Sequence, residues 1–142
     1  TESLPLVLGM GAAFESSGPP YLQEGRWRAI LQLQARIRDN GGILLSDQIE
    51  RPTTIHAVAM PGMSGRAQLM RFDMAGIAVS QGSACSSGSL KPSHVLAAMG
   101  IGDDLASRMI RVSFGWNTTP SEVERFCETW LAMAGDVVGE AV

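Results

Sequence analysis

Lysine is almost absent from this chain. Of its eleven Lys and Arg residues only Lys91 is a lysine. Chemistry that needs a lysine imine must therefore use Lys91 or a lysine from elsewhere. Cysteine is scarce too. Two thiols in 142 residues, Cys85 and Cys127, make no disulfide framework and fit a reducing, cytoplasmic setting. Charged residues make up 18% of the chain, below the roughly 25% usual for a globular domain, so one face is expected to dock on something else. The net charge is −3, the pI is near 5.3 and no basic run exists, which argues against a nucleic-acid partner. Every apolar run is short and broken by Gly or Arg, so no membrane span is expected, and no signal-peptide pattern opens the chain. The two cysteines and two histidines lie too far apart in sequence to suggest a metal cluster. Gly9-Met10-Gly11 lacks the rest of a phosphate-binding fingerprint, and no G-x-S-x-G elbow surrounds Ser83.

What the chain does have is a run of small and hydroxyl residues around one thiol, Gly82-Ser83-Ala84-Cys85-Ser86-Ser87-Gly88-Ser89. Nothing larger than Ala84 in it could pack as core. A free cysteine is often a small buried hydrophobe, and that description suits Cys127 better than Cys85. A thiol in a loop between a strand and a helix is placed to react, provided that a cation or dipole nearby favours the thiolate.

In chain order, Leu4, Leu6, Val7, Leu8, Met10 and Ala12 to Phe14 suggest either a buried helix entering mid-structure or a short opening helix. Glu15 to Pro20 is a loop. A helix over Glu24 to Asp39 carries Trp27, Ile30, Leu31 and Ile37 as its apolar stripe. Arg26, Arg28, Arg36 and Arg38 form its solvated face, and Asn40-Gly41-Gly42 closes it. Strands are expected at Ile43 to Leu45 and Thr53 to Met60, with His56 a half-buried strand residue. A helix over Arg66 to Ala75 points Leu69, Met70 and Phe72 inward, and a strand follows at Ile77 to Ser80. Pro92 opens a helix that ends at Gly100, with His94 in its first turn as an exposed residue. Asp103 to Ser107 allows a short helical piece. In the strand Met109 to Gly115, Ile110, Val112 and Phe114 share one face while Arg111 and Ser113 take the other. Arg111 could hold a carboxylate bidentately or form a strand-edge salt bridge. Thr119, Pro120 and Glu122 spell a capping box at the start of the last helix, and Cys127 lies in its apolar stripe. The pattern predicts one α+β domain over residues 1–142, a small and largely antiparallel sheet with helices packed on one face.

The run from Val79 through Cys85 to Leu96 closely resembles the active-cysteine loop of cysteine desulfurases of the NifS/IscS type. These are enzymes of the class V aminotransferase superfamily and pyridoxal-phosphate fold type I. Ile110-Arg111-Val112-Ser113-Phe114-Gly115 and Thr119 to Val123 resemble the family's final strand and helix. Thr1-Glu2-Ser3 with Leu4 to Gly11 resembles the lead into its interdomain helix. The resemblance covers essentially this whole chain but only the C-terminal third or so of such an enzyme. It implies that residues 1–20 are interdomain helix and linker and that residues 82–91 are the active-cysteine loop. Cys85 would be the nucleophile that takes sulfur from L-cysteine as a persulfide while alanine leaves. Arg111 would hold the substrate carboxylate, and Thr1 would reach the cofactor phosphate across a homodimer. Pyridoxal 5'-phosphate would be bound mainly by a large domain outside this sequence, which alone would then be inactive. The expected partners are L-cysteine, that domain, and an Fe–S scaffold or other sulfur acceptor. The different class of reading is a non-catalytic sulfur-carrier or scaffold-binding module. Gln81 departs from the family pattern, which often has serine there.

Overall fold

The computed structural model describes residues 3–16, 24–45, 54–82 and 93–140. The Cys85 loop, Thr1 and Lys91 lie outside the described residues. Six helices and three strands run in the order α1 (Leu4–Ser16), α2 (Glu24–Asp39), β1 (Ile43–Leu44), β2 (Ile55–Ala59), α3 (Gly65–Met74), α4 (His94–Ala98), α5 (Asp103–Ser107), β3 (Met109–Ser113) and α6 (Pro120–Glu140).

The sheet is antiparallel throughout, in the order β1-β2-β3. Ile43 faces Ala59 across β1 and β2. His56 faces Val112, and Ala57 faces Arg111, across β2 and β3. This register puts Val58, Ile110, Val112 and Phe114 on the inner face. They meet Ile30, Leu33 and Ile37 of α2, Phe72 of α3, and Val123, Phe126, Trp130 and Met133 of α6. Phe72 and Phe126 stack with ring centroids 4.8 Å apart. The expected architecture, a small antiparallel sheet with helices over one face, is the observed one.

Local signals explain most element ends. Gly41 takes φ 77 after α2, and Gly42 N–H then donates to the Ile37 carbonyl at 2.8 Å. A β-carbon at Gly42 would run into Ile37 and the Trp130 ring, so glycine there lets α6 close on α2. The capping box of α6 is complete. Thr119 N–H donates to Glu122 Oε2 at 2.7 Å, and Glu122 N–H donates to Thr119 Oγ1 at 3.3 Å. The Thr119 N–H bond first, and then the bond that the Thr119 hydroxyl donates to the same Oε2 at 2.9 Å, hold the Glu122 carboxyl below its ordinary range.

Five expectations are corrected. The apolar opening helix is not buried: residues 3–15 are all exposed, with Leu6 at 75% and Phe14 at 73%. Leu31 and Met70 also face outward. Met74, four positions along the helix from Met70, is also exposed, so this side of α3 points away from the Phe72 side. The strand expected at Ile77 to Ser80 shrinks to one bridge, because the chain leaves α3 through Gly76 at φ 68 and meets β3 only at Ser80. Arg26 is buried rather than solvated, because it faces backbone carbonyls of the loop that follows β3.

Candidate functional site

β3 presents Arg111. The alternation that sends Ile110 and Val112 into the core turns Arg111 and Ser113 to the open face of the sheet. Opposite Arg111 stands Ala57, whose methyl leaves the guanidinium uncrowded. Arg111 is exposed, and no acidic side chain pairs with it among the described residues. The strand-edge salt bridge that the sequence also allowed is therefore not formed there, and the guanidinium is free to meet an anion from outside.

The segment that leads toward Cys85 pairs with this arginine at Ser80. Ser80 and Arg111 exchange both backbone hydrogen bonds: Ser80 N–H donates at 3.1 Å and Arg111 N–H at 2.6 Å. Gly82 then turns the chain away at φ 71. Cys85 follows Ser80 by five residues, a chain reach of at most about 17 Å between their α-carbons. On the far side of the loop, Ser93 caps α4 by accepting from Leu96 N–H at 3.5 Å, and His94 is exposed in its first turn.

The second thiol behaves differently. Cys127 is 1% exposed inside the α6 stripe, and burial pushes its thiol up, away from the thiolate. It is core, as its spacing indicated. His56 is also inside, 3% exposed, with Gln34 Nε2 at 3.4 Å from its Nδ1 and the Phe114 ring tilted against it. No group of three or more His, Cys, Asp or Glu residues could hold a metal among the described residues.

Sequence reasoning missed Arg26. From α2, its Nε donates to the Thr118 carbonyl at 2.7 Å and its Nη2 to the Trp116 carbonyl at 2.6 Å. A buried arginine thus fixes the turn that joins β3 to α6 and leaves Trp116 at 65% exposure. The helical pattern gave no warning, since Arg26 stands among arginines that are on the surface. Arg28 pairs with Glu24 at 2.8 Å, and Arg36 ties α2 to Glu124 of α6. A cavity of about 210 Å³ lies between Gly76–Val79, β3 and the start of α6, with Glu122 and Arg125 at its polar side. It is smaller than the roughly 300 Å³ at which ligand sites begin and does not include Arg111.

The chain is similar to known proteins in sequence and in fold. Residues 1–126 match the model of the family described as aminotransferase class-V. A cysteine desulfurase of Cereibacter sphaeroides is 35% identical over 90% of this chain and 33% of its own length. One from Rhodobacter capsulatus is 34% identical over 99% of this chain and 36% of its own. This chain thus spans about a third of the curated relatives it matches. Among solved structures, a NifS-like protein superposes with a TM-score of 0.65 at 20% identity over 79% of this chain and 28% of its own, a likeness of fold. The NifS-like protein of Rickettsia africae gives 0.59 at 25% identity over 80% of this chain and 30% of its own. The family model covers most of the chain, and the chain belongs to the aminotransferase class-V family, on its NifS/IscS-type branch.

Proposed function

We propose that this chain is the sulfur-accepting part of a pyridoxal-phosphate-dependent cysteine desulfurase. The observation that supports it most is the reciprocal pairing of Ser80 with Arg111, which sets a residue five positions before Cys85 beside an exposed guanidinium. In this reading Arg111 binds the L-cysteine carboxylate, and the Cys85 thiolate attacks the substrate sulfur. An S–S bond forms on Cys85, the substrate's Cβ–S bond breaks, and the carbon that keeps the electron pair takes a proton and leaves as alanine. The persulfide then passes to an Fe–S scaffold or other acceptor.

The described residues contain no lysine, so they do not fit a covalent hold on pyridoxal phosphate. Lys91 follows the thiol stretch and is read as a solvated loop residue. The cofactor belongs to a further unit, which matches the two thirds of the relatives' length that this chain does not span. That unit would cover α1, with residues 1–20 as interdomain helix and linker, and Thr1 would contact the cofactor phosphate in a cytoplasmic homodimer. The lack of a lysine among the described residues also suits a second reading, a sulfur-carrier or scaffold-binding module without turnover of its own.

Kinetics of alanine release by the complete, cofactor-loaded protein test the substrate role. Losing a charged hydrogen-bond partner is expected to raise KM for L-cysteine roughly 10- to 100-fold in Arg111→Ala. Arg111→Lys should recover only part of it, since a lysine cannot bind a carboxylate bidentately. An unchanged KM in Arg111→Ala would remove Arg111 from the site.

A further inference from the structure

The segment that leads to Cys85 meets β3 through one residue pair, Ser80 and Arg111. Two hydrogen bonds at a sheet edge are a slight hold, each worth about 1 kcal/mol net. Gln81, the next residue, lies with its side chain against Gly65 of α3. A β-carbon on residue 65 would lie 2.9 Å from Gln81 Nε2, closer than real β-carbons come, and 3.2 Å from Gln81 Cδ, a tight contact. It would also lie 2.6 Å from the Met109 carbonyl oxygen. Residue 65 is a buried glycine at the start of α3, kept so by the Met109 carbonyl, and the amide end of the exposed Gln81 side chain lies over it. No left-handed φ calls for glycine there, so close approach is the reason for it. A serine at 81, as in the pattern this stretch resembles, has one heavy atom beyond its β-carbon and could not reach across.

We propose that Gln81 is a positioning residue. Seated on Gly65 beside Met109, it keeps the Ser80–Arg111 pair closed and fixes the point where the Cys85 stretch leaves the sheet. Its link to catalysis rests on the reading of Cys85 as the sulfur acceptor; the seat itself does not. Ser80 and Gln81 are consecutive, so their side chains point to opposite sides of an extended segment. The backbone is thus held on its β3 side by Ser80, and the side chain of Gln81 pins it to α3. Arg111 depends on this hold less, because its strand is also paired along β2.

The test uses the complete, cofactor-loaded protein with Gln81→Ser, which empties the seat, and Gln81→Met, which keeps its length. Gly65→Ala would also press on the Met109 carbonyl, so Gln81 is the cleaner position to change. Hydrogen exchange at the Ser80 and Arg111 amides is expected to speed up about tenfold in Gln81→Ser, with the rest of the β2–β3 ladder unchanged. Single-turnover sulfur transfer to Cys85 should slow about threefold with KM for L-cysteine unchanged, because the thiol is less well placed while Arg111 is not. Gln81→Met should restore both. Unchanged exchange in Gln81→Ser, or equal losses in Gln81→Ser and Gln81→Met, would overturn the seat. Faster exchange in Gln81→Ser, in a protein whose wild type loads no sulfur on Cys85, would uphold the seat and sink the desulfurase reading instead.

Discussion

α1 and α6 are the first and last helices of the chain, both rich in apolar residues, and the fold uses only one of them. α6 buries Val123, Phe126, Cys127, Trp130, Met133 and Ala134 along one stripe and leaves its charged residues outside. α1 is the more apolar of the two, yet Leu4, Leu6, Val7, Leu8, Met10 and Phe14 are all more than half exposed. A helix apolar on all sides belongs inside something larger, and exposed apolar surface of this extent marks an interface. The contrast teaches where this unit is complete. The inner face of its sheet is sealed by α2, α3 and α6, while α1 and the face with Arg111 are uncovered among the described residues.

Substitutions on the two helices sharpen the contrast. Trp130 is 0% exposed at the centre of α6, so Trp130→Ala is expected to cost about 3–5 kcal/mol in urea unfolding of this chain. A loss below 1 kcal/mol would mean that α6 is not the keystone of the core. A smaller effect lies at its start, where Thr119→Ala should cost about 1 kcal/mol. The pH dependence there has a definite sign. The Glu122 carboxyl is held below its ordinary value of 4.5 in the folded chain. Its contribution is present above the unfolded value and is lost as pH falls through the lowered folded one. Wild type should therefore lose its lead over Glu122→Gln in acid titrations of stability, and a lead that grew with acid would break this account. The smallest effect belongs to α1. Leu6→Gln should change the stability of this chain by no more than about 0.5 kcal/mol, while weakening assembly of the complete protein. A loss matching that of Trp130→Ala would show α1 to be packed.

Much of this was legible in the residues. The capping box at Thr119 and the alternation around Arg111 are local signals, so they placed α6 and β3 closely. The spacing of Cys127 marked it as core for the same reason. Other features depend on what lies across space. Arg26 has the same local pattern as Arg28 and Arg36, and only the return of residues 116–118 to α2 makes it a buried clamp. Ile77 to Ser80 has a strand's composition, but pairing needs a neighbour in register, and the turn at Gly76 grants it one residue. α1 reads as buried because its composition is apolar throughout, yet nothing among the described residues covers it. Gln81 looked like a minor departure in the loop until its amide was found in the space over Gly65.

The central claim is that Cys85, five positions after the residue paired with Arg111, accepts sulfur while Cys127 stays silent in the core. The most direct measurement is peptide mass after L-cysteine is added to the complete, cofactor-loaded protein. The account predicts a gain of one sulfur on the peptide that holds Cys85, none on the peptide that holds Cys127, and no gain in Cys85→Ala. Alanine release with no sulfur on Cys85, or with sulfur on Cys127 alone, would contradict it.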